Sequence, residues 1–485
     1  MSQGLPAYDT VGLPDAAVRE SRERVRAALR NSGFMVPPRR ITINLAPADM
    51  KKEGTVYDLP IALGLLAATE QISQPEEGWI FLGELALDGG VRGVNGILPM
   101  LISARAHGVT HVMLPMENAG EAAYLEGIHA YAVGTLKEAA SLLQEPAAHP
   151  PVERRQWEAA PTRPGTDFSE IRGQQGAKRA AEIAAAGGHN LLLIGTPGSG
   201  KTMLAKAMPT IMPQLTFGEA LEITKVHSVT GAFRGSGGIA AERPFRAPHH
   251  SASLPSLVGG GPKAQPGEIS LAHGGVLFLD ELPEFSRDVL EALRQPLEDR
   301  EVTITRASFR ATYPADFMLV AAMNPCPCGY YGGRTSRCRC TPAQVERYRN
   351  RLSGPFLDRI DLQVEMTEVG YEEITGSSTG ESSAVIRQRV EAARQRQRER
   401  YQEEGILFNA QLAGEQINRY CPLTARAQAM VKKAFETMYM SGRGYGRIRK
   451  VARTIADLAG EETIDAVHVA EAMQYRSLDK KYWGG

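Results

Sequence analysis

Residues 191–208 read LLLIGTPGSGKTMLAKAM, and the eight in the middle, Gly195 to Thr202, decide how the chain folds. GTPGSGKT stands between a four-residue apolar strand, Leu191 to Ile194, and a helical run. That is the setting of a phosphate-binding loop. Gly195, Gly198 and Gly200 let successive backbone N–H groups turn inward around phosphate oxygens, with Thr196, Pro197 and Ser199 completing the turn. Lys201 is placed to neutralise β- and γ-phosphates and Thr202 to offer its hydroxyl to Mg²⁺, so ATP with Mg²⁺ is the expected pair. The competing reading is a chance glycine turn before a helix. The complete motif in strand–loop–helix order argues against it.

Downstream, GGVLFLDELPEF closes a second apolar strand, Val276 to Leu279, with Asp280 and Glu281. Asp280 is expected to hold Mg²⁺ and Glu281 to polarise the attacking water. A surface Asp-Glu pair is common; a phosphate loop some 80 residues upstream makes the catalytic reading the stronger one. A third strand, FMLVAAMNP, ends in Asn324, an amide able to orient water at the carboxyl edge of such a sheet, although Asn before Pro is also a turn signal. In SGPFLDRIDLQVEM, Arg359 sits between two aspartates. It is read either as a structural ion-pair partner or as a cation lent to a neighbouring subunit's site.

Around these motifs, residues 167–375 alternate strands and helices through Gly-rich turns, so the expected fold class is α/β with a parallel sheet and crossover helices. Residues 1–145 read as an α+β domain, 146–166 as a Pro-rich linker, 376–383 (GSSTGESS) as a second linker, and 384–485 as a helical lid. The 485 residues carry 55 basic and 55 acidic side chains, which excludes a globally basic nucleic-acid coat and requires any polymer contact to be local. No apolar run reaches the about 18 residues of a spanning helix and the start lacks a secretory pattern, so no membrane partner and a cytoplasmic location are expected.

Four of the five cysteines fall in CPCGYYGGRTSRCRC, as Cys326, Cys328, Cys338 and Cys340. Four thiolates so close fit a tetrahedral structural Zn²⁺; free thiols, an iron–sulfur centre and a redox role are the alternatives. Cys421 reads as an ordinary packed thiol.

Several blocks resemble AAA+ ATPases, and specifically the magnesium-chelatase-like family called ComM or YifB: residues 173–202, residues 245–285, AAMNPCPCGYYG and SGRGYGRIRKVARTIADLAG. The resemblance makes residues 195–202 Walker A, Asp280 and Glu281 Walker B, Asn324 sensor 1 and Arg359 a finger acting in trans. Arg447 looks like sensor 2, with Arg449 and Arg453 on or near the same helix. The segment between the phosphate-loop helix and Walker B resembles a helix-2 insertion, and EVTITRASFRATYPADF a pre-sensor-1 hairpin. It further implies a homo-hexameric ring acting as a DNA branch-migration motor in natural transformation. Relative to the family the chain looks shortened at its start, and its first domain is expected to lack an edge.

That first domain resembles the Lon-protease-like domain, related to the S5 fold. A serine–lysine dyad cannot be assembled at the matching KEGTVYDLPIALGLL, since no serine lies between Ser32 and Ser73 and no lysine between Lys52 and Lys137. A scaffold or DNA-contacting collar is the expectation.

Residues 385–460 hold 15 Lys or Arg against 7 Asp or Glu. In VIRQRVEAARQRQRERY, positions 386, 390, 393, 397 and 401 form one helical face and the arginines are expected to make a solvated surface. Contacts to branched or single-stranded DNA are expected instead on inner loops, at Lys263, Arg306 and Arg310, while His249 and His250 are equally well structural. Two function classes remain: a hexameric DNA motor, and a magnesium-chelatase-like remodeller of a protein partner. A passive nucleotide-gated scaffold is disfavoured by the presence of both Glu281 and Arg359.

Overall fold

A computed structural model of the chain describes residues 1, 5, 7–159, 165–232, 238–261, 264–305, 310–333, 337–371, 380–437 and 442–483. The chain divides into two units, residues 1–158 with 220–240, and residues 159–219 with 241–485.

In the first unit β1 (Ala7–Val11) pairs in parallel with β2 (Arg40–Asn44). A three-stranded parallel sheet is ordered β3 (Trp79–Phe81), β6 (His111–Pro115), β7 (His129–Val133), and β4 (Glu84–Leu85) and β5 (Val91–Arg92) form a small hairpin. Alternation along β6 sends Met113 to a core shared with the Ala16–Asn31, Asp58–Ala68 and Leu136–Gln144 helices, and Val112 and Leu114 to a second core on the Ile97–Ala106 helix. The segment 220–240 is joined to this unit by polar bonds: Gly96 N donates to Ser228 O at 2.9 Å, and the Ser228 hydroxyl donates to Glu121 at 2.5 Å.

The second unit is built on a five-stranded sheet, all of it parallel, in the order β16 (Leu362–Met366), β8 (Leu191–Gly195), β15 (Met318–Met323), β12 (Val276–Leu279), β9 (Phe245–Arg246). Every residue of β8, β12 and β15 is buried, as the uninterrupted apolar runs require of strands covered on both faces. Leu191 and Leu193 join a core with the Gln175–Gly187, Ser383–Arg400 and Gly442–Ala459 helices, and Leu192 and Ile194 join the opposite one. The phosphate-loop strand thus lies inside the sheet, with the carboxyl ends of β8, β12 and β15 side by side. Two hairpins complete this unit, β10 (Gly259–Gly260) with β11 (Gln265–Pro266) and β13 (Glu301–Thr305) with β14 (Arg310–Pro314), the latter adding Val302 and Ile304 to the core that holds Leu192 and Ile194.

The Ser383–Arg400 helix buries Ile386, Val390, Ala393 and Gln397, and Tyr401 follows them inward. Its arginines do not simply face water. Arg389 pairs with Glu182 and Glu381, Arg400 with Asp457, Arg394 lies over the Phe408 ring, and Arg396 donates to Asp457 O. The expected solvated surface is corrected on these positions because carboxylates and carbonyls of adjoining elements lie within reach of their long stems.

Candidate nucleotide site

Between β8 and the Lys201–Ile211 helix the backbone turns through Gly198 (φ +80°) and Gly200 (φ +93°), left-handed conformations that glycine adopts without a Cβ penalty. At Gly195 an added Cβ would stand 2.5 Å from Met366 O and 2.7 Å from Ser199 Oγ, so the loop closes only on glycine. Gln174 braces it from outside, its side-chain amide donating to Ser199 O at 3.2 Å and to Thr367 O at 2.6 Å. The hydroxyl oxygens of Thr196 and Ser199 are buried without a hydrogen-bond partner, an arrangement that fits a ligand rich in acceptors.

Lys201 Nζ donates to Gly195 O (2.7 Å), Thr196 O (3.0 Å) and Asn324 Oδ1 (3.1 Å). Burial pushes its ammonium below the ordinary value, and Asp280 and Glu281 partly restore it. Thr202 Oγ1 donates to Asp280 Oδ2 at 2.7 Å, so the two residues expected to hold Mg²⁺ already meet. Glu281 adopts φ +51°, a conformation that costs a non-glycine residue about 1 kcal/mol, and its N–H is bonded to Asp280 Oδ1 at 2.9 Å. Its carboxylate is half exposed, with His250 Nδ1 3.2 Å away. The parallel sheet therefore brings Lys201, Thr202, Asp280, Glu281 and Asn324 to one edge.

Three family models fit the chain: "Magnesium chelatase, subunit ChlI" over residues 167–374, "Subunit ChlI of Mg-chelatase" over residues 1–118 and "Magnesium chelatase, subunit ChlI C-terminal" over residues 380–476. Competence protein ComM of Haemophilus influenzae is 46% identical over 484 residues, covering 99% of this chain and 93% of its own. This chain belongs to the magnesium-chelatase-like AAA+ family of ComM and YifB. YifB of Salmonella typhimurium is 46% identical and YifB of Escherichia coli 44% identical, each over 488 residues with the same coverage of both chains. Membership carries the expectation of ATP and Mg²⁺, which the donor set above fits.

In this ComM/YifB-family chain Arg359 and Arg447 lie elsewhere. Arg359 and Arg447 line one cavity of about 460 Å³ together with Arg300, Arg443 and Lys450, and its lining includes no residue of 195–202. Arg359 donates to Arg294 O at 3.1 Å and pairs with Glu298 at 2.7 Å, and Arg443 reaches the same Glu298 at 3.6 Å. Arg447 pairs with Asp358 at 3.1 Å. Arg449 and Arg453 point to other partners, Asn418 and Cys421 O for the first, Asp457 and the carbonyls of Glu461 and Glu462 for the second. Of Arg447, Arg449 and Arg453, Arg447 is the one lining the cavity with Arg359.

Cys326, Cys328, Cys338 and Cys340 place their sulfurs all within 4.8 Å of one another, which suits one metal ion. Cys421 is buried apart from them, its thiol pushed up to about 11 by that burial. Among the proposed polymer contacts, Lys263 and Arg306 lie outside the described residues, and Arg310 is exposed at the start of β14. No helix among the described residues is long and apolar enough to cross a membrane. The sequence alone did not single out Gln174, Met366 or Glu298, and it left His250 without a task. Gln174 and His250 did carry a signal, since they stand in the quoted blocks at residues 173–202 and 245–285. Met366 contributes through its backbone and gave none.

Proposed function

We propose that the chain is a Mg²⁺-dependent ATP hydrolase working as a homo-hexameric ring that moves branched or single-stranded DNA, as in branch migration during recombination. The observation that carries this reading is the division of its cations: Lys201 sits in the glycine loop within the field of Asp280 and Glu281, while Arg359 and Arg447 line a cavity whose lining includes no residue of 195–202. A site so divided is completed only when one subunit's cradle meets the next subunit's guanidinium groups.

In that arrangement the glycine turn and Lys201 hold the triphosphate, and Thr202 and Asp280 hold the cation. Bound Mg²⁺ supplies charge neutralisation at the phosphate oxygens. Glu281 takes a proton from the attacking water and Asn324 fixes where that water lies. Arg359 and Arg447 of an adjoining subunit stabilise charge on the leaving phosphates. The four cysteines hold a structural Zn²⁺. Residues 1–145 act as a non-proteolytic scaffold, and residues 384–485 as the lid.

The test is ATP turnover with and without branched DNA over a range of salt. Stimulation that weakens steeply as salt rises supports the DNA motor. Turnover indifferent to DNA, with no mobility shift on branched substrates, transfers the reading to remodelling of a protein partner, the activity that the chelatase resemblance suggests.

A further inference from the structure

The loop that carries the four cysteines leaves the sheet at Asn324 and ends at Thr341, whose side chain caps the Pro342–Arg349 helix. Among its described residues it buries only Pro325, Cys326 and Gly329, so no apolar core of its own holds it in shape. The Sγ–Sγ separations, 3.3 Å (Cys326–Cys328), 3.6 Å (Cys328–Cys338) and 3.8 Å (Cys326–Cys338), lie at or a little below the about 3.8 Å between sulfurs around one tetrahedral zinc. Four sulfurs this close leave no room for the several irons and sulfides of a cluster. A single divalent ion bound by the four thiolates would supply the constraint that burial does not.

The same loop leans on the phosphate cradle. Gly329, at φ +86°, is so near Walker A that an added Cβ would lie 2.7 Å from two ring carbons of Pro197. A Cβ on Gly333 would lie 3.4 Å from the Thr196 methyl. Asn324, bonded to Lys201 at 3.1 Å, is two residues from the first ligand. Arg349 donates to Pro325 O at 3.4 Å and stacks over Tyr331 and Tyr482, holding the loop against the sheet.

We infer that the tetracysteine loop binds Zn²⁺ and that this ion and the nucleotide bind cooperatively, coupled through the Gly329–Pro197 contact; this rests on residues 195–202 being the nucleotide cradle. Such coupling is reciprocal: whatever factor the metal adds to nucleotide affinity, the nucleotide adds to metal affinity.

The full-length protein is purified with its zinc, and release of Zn²⁺ to a colorimetric chelator is followed with and without ADP or ATP. One zinc per chain and release slowed at least fivefold by saturating nucleotide are expected. Binding of a fluorescent ADP should weaken on chelation and recover when Zn²⁺ is restored. Gly329→Ala should keep its zinc yet bind nucleotide more weakly and show no nucleotide effect on release. Protein lacking stoichiometric zinc, or release unchanged by nucleotide, overturns the inference. Lys201→Ala separates the two readings. If that variant still binds nucleotide, the cradle assignment has failed; if it loses nucleotide while wild-type zinc release ignores nucleotide, the coupling alone has failed.

Discussion

Thr202 and Asp280, 78 residues apart in sequence, meet at 2.7 Å through a hydroxyl–carboxylate hydrogen bond. The contact exists because β8 and β12 both flank β15 in the same parallel orientation, so the loops leaving their carboxyl ends open onto one space. It joins the residue that follows Lys201 to the first of the two acids that end β12.

Substitutions on this edge should separate binding from turnover. Lys201→Ala is expected to lose nucleotide binding, because it removes the ammonium that the Gly195 and Thr196 carbonyls hold inside the loop, the charge expected to neutralise the phosphates. Glu281→Gln is expected to bind ATP, hold the ring together and hydrolyse at least about 10²-fold more slowly, the usual cost of removing a general base. Equilibrium binding of a fluorescent nucleotide and single-turnover hydrolysis check both.

Arg359→Ala and Arg447→Ala should each preserve nucleotide affinity and depress turnover, for Arg359 by roughly 10³-fold or more, the range of arginine fingers. Size-exclusion chromatography with ATP establishes assembly, and steady-state turnover reads the loss. Full activity of Arg359→Ala would remove that residue from catalysis.

Much of this was legible because each motif carries its own chemistry in a short window. The Val276–Leu279 strand and its two acids, the Asn324 terminus of β15 and the 386/390/393/397/401 face were readable from period and spacing alone. What escaped depends on distant segments meeting. Glu298 is an unremarkable acid until β16 and its preceding turn bring Arg359 to it. The arginines of the Ser383–Arg400 helix read as solvated until Glu182, Asp457 and Phe408 are placed beside them. That residues 220–240 pack with the first unit is a long-range pairing that no local period announces.

Asp361 offers a pH test. Burial would raise its carboxyl, but His189 (Nδ1 at 3.5 Å), Lys450 and Arg447 outweigh burial and hold it below the usual carboxylate range. A carboxylate depressed in the folded state stabilises the fold above its unfolded pKa of about 4, and that contribution fades as pH falls toward its folded pKa. Asp361→Asn should therefore cost roughly 3 kcal/mol at neutral pH, where it removes the buried negative charge that His189, Lys450 and Arg447 face. The deficit against wild type should shrink on acidification below about pH 4. Denaturant melts of both proteins between pH 7 and pH 3 measure it; a constant deficit would show that the charge is not the cause.

In the proposed mechanism ATP is cleaved at a seam, with Lys201, Asp280 and Glu281 from one subunit and Arg359 from another. It is tested by turnover per subunit against protein concentration, with mass measured in the same buffer. Activity per subunit should collapse as the assembly dissociates and return on reconcentration. Undiminished activity per subunit at dilutions where the chain is monomeric would contradict it.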